Sequence, residues 1–164
     1  MPYLSVQDLS IHYEIEGKGK PVIILHGMGN NSQSWKKQLA GLSENNTVIA
    51  WDAPGYGKSS DPKEELTEFS QFADILKGFV KALNYKSVTL LGHSMGSAIA
   101  LDFCYRFPEM VDSLIISDAT RGSAGLSIEE NQKKLAARLN NINTLDPKEI
   151  AAKRVKELLS PNPD

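Results

Sequence analysis

Four short apolar runs constrain the fold of this chain more than any other feature. Each run is continuous rather than alternating, which is typical of a strand that is covered by helices on both faces. Segments with helical patterns separate the runs, so the strands are expected to lie parallel. The chain therefore predicts a three-layer α/β/α sandwich with a mostly parallel sheet. The runs are Pro21–Leu25, Thr47–Trp51, Ser87–Leu91 and Val111–Ser117.

The segments around these runs predict the remaining elements of the core. Tyr3–Val6 and Leu9–Glu16 alternate polar and apolar residues, which predicts an antiparallel hairpin. Trp35–Leu42 predicts a short helix, and Phe69–Leu83 carries a good helical stripe of apolar residues. Met95–Phe107 is apolar on almost every side, so we expect this helix to be deeply packed.

The start of the helix after residue 68 has two candidate caps. Thr67 and Ser70 both carry a hydroxyl that accepts a hydrogen bond from the first helical turn when it stands at that position.

The chain changes character after Asp118. Residues 120–126 are small and predict a linker, and two capping boxes follow, at 127–130 and 146–149. They predict helices over 128–141 and 147–159 with no strand between them. We therefore expect an α/β core over residues 1–122, an appended helical part over 123–164, and a polar loop at 160–164.

Composition excludes several classes of function. The 164 residues suffice for one domain with a sizeable core, and 18 basic against 20 acidic side chains predict neither a nucleic-acid partner nor a membrane surface. The lone Cys104 excludes an internal disulfide and a multi-cysteine zinc site, and it fits a reducing compartment. Neither a membrane span nor a signal peptide is recognisable. We expect a cytoplasmic protein.

The segment Gly92-His-Ser-Met-Gly96 carries the strongest chemical signal. It follows one predicted buried strand and opens a predicted helix, which is the setting of a nucleophile elbow. There a strained turn presents the serine hydroxyl above the sheet, and the helix N-terminus faces any developing oxyanion. The alternative is a serine that merely caps the helix, but a cap needs no flanking glycines. We therefore predict that Ser94 is a nucleophile.

The segment His26-Gly-Met-Gly29 follows another predicted strand. One interpretation is the start of a dinucleotide fingerprint, since Asp52 lies about 20 residues further on, but Ser32 stands where the third glycine belongs. The other interpretation is a loop that donates a backbone N–H to an oxyanion. We prefer the second, with the Met28 and Met95 amides as the two donors.

Asp52-Ala-Pro-Gly-Tyr-Gly-Lys-Ser59 ends like a phosphate-binding loop. The pattern fails because Asp52 stands where that loop needs glycine, and its carboxylate would repel a phosphate. We predict instead a turn after a strand, in which the carboxylate of Asp52 accepts hydrogen bonds from backbone amides.

Together these motifs resemble the N-terminal part of an α/β-hydrolase-fold protein with a helical cap. HGMG, DAPGYGKSS and GHSMG stand in the order of that family, and the resemblance covers residues 3–118 closely and 126–160 loosely. The resemblance implies a serine hydrolase with Ser94 as nucleophile and with no cofactor. Serine stands where some members carry aspartate, which argues against epoxide hydrolase or haloalkane dehalogenase chemistry.

The resemblance also implies a longer sheet and a catalytic triad in the order serine, acid, histidine. Here the sheet stops after six predicted strands, and no histidine follows Ser94. Asp118 follows the sixth strand, where some relatives place the acid, although a turn residue is the alternative. The chain thus has the pattern of a hydrolase truncated after strand six, at the start of its cap.

We expect none of the three histidines to act as the catalytic base. We expect His12 to be solvated in the hairpin and His26 to be a structural part of the oxyanion loop. We expect the ring of His93 to point away from the Ser94 oxygen. His26, Gly27 and His93 are nevertheless predicted to surround a bound substrate, because they flank the proposed reacting groups.

Two functions from different classes remain open. One is a hydrolase that acts on a small ester, lactone or similar carbonyl substrate through an acyl-enzyme. The other is a non-catalytic interaction or receptor-like module on the same fold, which needs no base. The last strand, Val111–Ser117, is apolar, so we also expect an unpaired sheet edge through which the chain forms a homodimer.

Overall fold

A computed structural model describes residues 2–119 and 125–158, with backbone alone over 153–158. Within them lies one six-stranded sheet in the order β1-β2-β4-β3-β5-β6. β1 and β2 form the predicted antiparallel hairpin, β2 pairs antiparallel with β4, and the other neighbours are parallel. The strands are β1 Tyr3–Val6, β2 Leu9–Glu16, β3 Lys20–Leu25, β4 Asn46–Trp51, β5 Val88–His93 and β6 Val111–Ser117.

Three helices pack against the sheet: α1 Lys36–Leu42, α2 Phe69–Ala82 and α3 Met95–Arg106. A 3-10 turn over Ser32–Trp35 leads into α1. The cap of α2 differs from both expected residues. The Glu68 side chain accepts from the backbone of Gln71, and Gln71 returns a bond to the Glu68 backbone. The Gln71 Oε1 accepts from the backbone N–H groups of Thr67 and Glu68, so the side chains of Glu68 and Gln71 together satisfy the free amides at the start of α2.

Helices cover both faces of the central strands, as the continuous apolar runs predict. Ile23 and Leu25 of β3 face the larger core, which contains residues of α2 and α3. Ile24, between them, faces a smaller core with Leu39 of α1. Neighbouring residues of a strand point to opposite faces, so the buried residues 22–25 of β3 must all be apolar. The α/β/α sandwich is confirmed.

α3 is deeply packed on the side that faces the sheet, as expected, whereas its outer side is exposed although it also carries apolar residues. Ile99, Ala100 and Phe103 are fully buried, whereas Leu101 is 46% and Tyr105 87% exposed. Within residues 2–119, α3 lies on the sheet beside α2. Apolar composition alone could not distinguish the two sides, because both carry large hydrophobic residues.

β6 is an edge strand of the sheet and, within the described residues, pairs with β5 alone. Leu114 and Ile116 pack against the larger core, and Ile115 on the opposite face is 48% exposed. The expected sheet edge at Val111–Ser117 is therefore present. Its role in dimer formation stays a prediction.

The chain divides into two compact units, residues 1–120 and 121–164. The second contains α4, Ile128–Thr144, which begins with the expected capping box between Ser127 and Glu130, and α5, Pro147–Leu158. The expected boundary between residues 122 and 123, most of the linker, and the loop at 160–164 lie outside the described residues. None of the described helices is long and apolar enough to cross a membrane.

Candidate active site

Ser94 occupies a strained turn between β5 and α3. Its φ is +52° and its ψ −117°, a conformation that residues with a side chain rarely adopt. Its N–H donates to the Ser117 carbonyl at 3.2 Å, and its own carbonyl accepts from the Ser97 N–H at 2.9 Å. The turn is thus held between the end of β6 and the first turn of α3.

The Ser94 side chain does not cap α3, although the residue stands at the cap position. It makes no hydrogen bond to the first helical turn, so the alternative of a simple capping serine does not describe this turn. The side chain is half-buried. Since the first amides of a helix lack partners within the helix, the Ser94 hydroxyl stands next to a positive helix end.

Two glycines permit this turn because the backbone closes tightly around them. A Cβ on Gly92 would lie 2.5 Å from the Gly96 carbonyl oxygen and 2.7 Å from the Ser97 Cα. A Cβ on Gly96 would overlap the carbonyl oxygen of Leu25 at the end of β3. Gly92 therefore lets the first turn of α3 lie directly against β5, and Gly96 lets it lie against the end of β3.

The loop after β3 passes directly beside Ser94. A Cβ on Gly27 would lie 3.1 Å from the Ser94 Cβ and 3.0 Å from the His93 Nδ1. The Met28 side chain that follows is 62% exposed. The structure thus brings together Gly27, His93 and Ser94, three of the predicted site residues. The roles of the Met28 and Met95 amides as oxyanion donors stay predictions.

His26 is buried, and protein backbone engages both its ring nitrogens. Nδ1 lies 2.9 Å from the Gly27 carbonyl, and Nε2 accepts from the Ala53 N–H at 3.0 Å. Burial lowers the pKa of His26, because the charged ring would lose water and a protonated Nε2 could not accept that bond. His26 has no nitrogen left for a substrate. Its predicted substrate contact is corrected to a structural role in the loop.

Asp52 accepts hydrogen bonds from backbone amides, as expected of a turn. Its carboxylate accepts from the N–H of Ser32 at 2.6 Å, from the N–H of Lys58 at 2.9 Å, and from His12 Nδ1 at 2.8 Å. Burial alone would raise the pKa of Asp52, but these hydrogen bonds outweigh burial and lower it. The carboxylate thus ties the loop after β3 to the loop after β4.

The expectation that His12 is solvated is wrong. The residue is fully buried, because the loop after β4 covers the polar face of the hairpin. Ser59 contacts the His12 backbone, with its hydroxyl accepting from the His12 N–H at 2.9 Å. The ring packs edge-on against Tyr3, with ring centroids 5.0 Å apart. The alternation of polar and apolar residues along β2 does not indicate that the loop after β4 covers this face.

His93 and Asp118 lie close together at the ends of β5 and β6. Nε2 of His93 is 3.9 Å from the Asp118 carboxylate, and its ring packs against Trp35 with centroids 6.1 Å apart. Asp118 is exposed and has a φ of +50°. All three histidines are described, and none of them hydrogen-bonds to Ser94. A catalytic triad is not assembled from these residues.

An open pocket of about 400 Å³ adjoins the two expected oxyanion donors. It is largely apolar, and sequence reasoning did not identify most of its lining. A metal site is not formed by any cluster of His, Cys, Asp or Glu within 2–119 and 125–158. The pocket is lined by Met28, Tyr56, Leu66, Thr67, Glu68, Phe69, Phe72 and Met95.

Comparison with known proteins agrees with this architecture. The family model described as "alpha/beta hydrolase fold" matches residues 20–149. The chain belongs to the alpha/beta hydrolase fold family. The fold, the elbow and the order of the three glycine-rich motifs are those that the resemblance implied.

Two of the curated relatives are enzymes named for different reactions. The chain is 34% identical over 131 residues to a 2-hydroxy-6-oxo-6-(2'-aminophenyl)hexa-2,4-dienoic acid hydrolase of Metapseudomonas resinovorans, covering 77% of this chain and 43% of that protein. It is 32% identical over 112 residues to a soluble epoxide hydrolase of Corynebacterium sp. (strain C12), covering 68% and 39%. The chain spans less than half the length of these relatives.

Solved structures show the same fold. Est816, described as an N-acyl homoserine lactone degrading enzyme, superposes with a TM-score of 0.73 at 26% identity, over 80% of this chain and 51% of Est816. The epoxide hydrolase CorEH superposes with a TM-score of 0.72 at 30% identity, over 77% and 45%. The similarity thus extends to proteins named for lactone and for epoxide chemistry.

Proposed function

We propose that this chain carries the nucleophile of a serine hydrolase that acts on a small ester, lactone or similar carbonyl substrate. The observation that carries the proposal is Ser94 itself. It stands in a strained turn at the N-terminus of α3, and its side chain is not used to cap that helix. A structural serine needs neither the strain nor the two tightly packed glycines around it.

The proposed reaction proceeds through an acyl-enzyme. Ser94 Oγ attacks the substrate carbonyl and gives its proton to a general base, which passes it to the leaving alcohol. The Met28 and Met95 amides hold the negative oxygen of the tetrahedral intermediate. Water then attacks the acyl-enzyme and regenerates Ser94. No cofactor takes part in these steps.

The loop that carries Met28 is supported from two sides, which favours its proposed role. The bond from the Ala53 N–H to the His26 ring holds one end of the loop, and the bond from the Ser32 N–H to Asp52 holds the other. An amide that is fixed before the reaction costs no reorganisation when the oxyanion forms. The support is internal to the α/β unit.

Serine at the elbow favours carbonyl chemistry over the epoxide chemistry named for some relatives. Opening an epoxide through a covalent ester needs a carboxylate nucleophile, whose ester water can then hydrolyse. Ser94 would form a stable ether instead. We therefore propose the carbonyl reaction, although several of the similar proteins are named as epoxide hydrolases.

The general base is not one of the three histidines in this sequence. His12 and His26 are bonded elsewhere, and His93 lies against Trp35 and Asp118. Because the chain spans less than half of its curated relatives, we propose that the activity belongs to a protein in which this chain is joined by a histidine-bearing segment. Asp118 stays a candidate acid.

The lone Cys104 favours a cytoplasmic location.

Hydrolysis of nitrophenyl esters tests the proposal. The protein translated from the whole open reading frame should turn over such esters, and Ser94→Ala should reduce kcat by at least about a thousand-fold. Ser5→Ala, on the exposed face of β1, is the matched control and should retain the activity. If Ser94→Ala keeps full activity, Ser94 is not the nucleophile.

The second candidate, a non-catalytic interaction module, is favoured by one observation. No histidine of this chain hydrogen-bonds to Ser94, and a binding protein needs no such base. In that case the protein of the whole open reading frame would hydrolyse no ester, while it would remain folded with its elbow intact.

A further inference from the structure

The open pocket of about 400 Å³ is lined by both residues whose amides are proposed to hold the substrate carbonyl oxygen. Met28 comes from the loop after β3, and Met95 is the first residue of α3. Their amides are the two proposed oxyanion donors, and their side chains line the same pocket. A group attached to the carbonyl carbon would therefore extend into this space.

The far wall of the pocket comes from the start of α2 and the loop after β4. Leu66, Phe69 and Phe72 present apolar surface, and Phe69 is 40% exposed. The Tyr56 hydroxyl lies 3.4 Å from the Met95 sulfur. Burial raises the pKa of Tyr56, so this hydroxyl stays neutral. These four residues thus offer apolar contact and no charge.

One charged residue lines the pocket, and it is acidic. Glu68 is exposed, and its carboxylate caps α2 and accepts from the Ser70 hydroxyl at 3.1 Å. The lining contains no lysine or arginine among the residues that the structure describes. A substrate carboxylate in this pocket would therefore lose water, gain no cation and face a like charge.

We infer that this pocket binds an uncharged, apolar alkyl or aryl group of the substrate, and that Glu68 disfavours a carboxylate there. The inference rests on the proposed function for the position of the carbonyl, but binding in the pocket requires no reaction. One similar protein, that of Metapseudomonas resinovorans, is named as the hydrolase of a substituted hexa-2,4-dienoic acid. The chemistry of this pocket favours a different substrate class.

The volume indicates the size of group that the pocket can surround. At about 400 Å³ the pocket lies near the lower end of the roughly 300–1,000 Å³ that small-molecule sites occupy. A hexyl chain or a benzyl group fits this space. Such a small ligand is expected to bind with a Kd on the order of millimolar, because each atom contributes little.

Methionine methyl groups provide a direct test, because the chain has four methionines and two of them line the pocket. Hexanamide and hexanoate are titrated into protein labelled with ¹³C at the methionine methyls. Hexanamide should shift the Met28 and Met95 signals and leave Met110, which is buried in the larger core. Hexanoate should bind at least about ten-fold more weakly, because its charge must be desolvated beside a carboxylate.

Two variants assign the discrimination to Glu68. Glu68→Gln retains a side-chain oxygen for the cap and should reduce the preference for hexanamide about five-fold. Glu65→Gln removes a nearby exposed charge that does not line the pocket, so it should leave the preference unchanged. If Glu65→Gln has the same effect as Glu68→Gln, the discrimination comes from overall charge and the assignment is wrong.

Other outcomes overturn the inference altogether. Equal binding of hexanoate and hexanamide, equal shifts at Met110, or no shift at saturating hexanamide would each contradict it. The titration is repeated in Ser94→Ala, which should bind hexanamide as the unmodified chain does. If hexanamide binds but Ser94 is unreactive in the complete protein, only the hydrolase proposal is refuted. If Ser94 is reactive but hexanamide does not bind, only the inference about the pocket is refuted.

Discussion

Replacing Gly96 with alanine should destabilise the α/β unit strongly. The new Cβ would overlap the Leu25 carbonyl oxygen and lie 2.5 Å from the Leu25 carbonyl carbon and 2.8 Å from the His26 carbonyl oxygen. All three atoms belong to the backbone of β3 or its loop, so no side chain can rotate away. Overpacking typically costs about 1–3 kcal/mol. Because backbone must move here, we expect about 3 kcal/mol.

Gly41→Ala is the matched control. Gly41 lies in α1, and a Cβ there would meet no atom within 4 Å. Alanine should therefore stabilise the helix by about 0.5–1 kcal/mol, because glycine loses more backbone entropy on folding. The two substitutions add the same methyl group and should move the free energy of unfolding in opposite directions.

Urea denaturation followed by circular dichroism and by the fluorescence of Trp35 and Trp51 measures both effects. The midpoint should fall for Gly96→Ala and rise for Gly41→Ala, with the slope unchanged. A Gly96→Ala chain within 1 kcal/mol of the unmodified chain would refute the reasoning. It would mean that α3 does not start directly against β3, and the elbow geometry would then be wrong.

Three further predictions concern pH, association and turnover of the 164-residue chain. Burial lowers the pKa of His26 from its ordinary 6.5, so the unfolded chain binds that proton first. The free energy of unfolding should fall below about pH 6.5 by at most about 1.4 kcal/mol per pH unit, and His26→Gln should flatten that slope in urea melts. Light scattering at micromolar concentration should show dimers that form through the edge strand β6, and Ile115→Lys should weaken them; a clean monomer would contradict this. Hydrolysis of nitrophenyl esters by this chain alone should be negligible, because no histidine reaches Ser94; tens of turnovers per second that Ser94→Ala abolishes would contradict it.

Much of the fold could be predicted because the continuous apolar sequences of the central strands indicate directly that both of their faces are buried. β3 consists of the predicted apolar run at 21–25 and one further residue, Lys20. β6 has the bounds of the predicted run at 111–117. β5 was less well bounded, because His93 extends a strand whose apolar run ends at Leu91. A parallel strand between two helical layers leaves little choice of residue, so its sequence is informative.

Contacts between distant segments could not be predicted. His12 is buried by a loop about 47 residues further along the chain, and a local pattern carries no record of such cover. The exposure of the outer side of α3 could not be predicted for the same reason. Tyr105 is a large aromatic residue, and its sequence position does not show whether another element covers it. Local periodicity shows which side of an element is apolar, and packing decides which sides are covered.

The candidate site shows the same division. Ser94 and its glycines could be predicted because the elbow is a local turn with a local sequence requirement. Most of the pocket could not, because Tyr56 and Leu66 come from a segment without regular structure and reach Met95 only in the folded chain. His26 could be placed in its loop but not oriented, since its bond to the Ala53 amide joins two loops.

Location of a covalent adduct tests the central claim most directly. The protein of the whole open reading frame is treated with a fluorophosphonate, and the modified peptide is identified by mass spectrometry. The adduct should lie on Ser94, be absent from Ser94→Ala and persist in Ser5→Ala. An adduct on another serine, or ester hydrolysis with Ser94 unmodified, would contradict the assignment of Ser94 as the nucleophile.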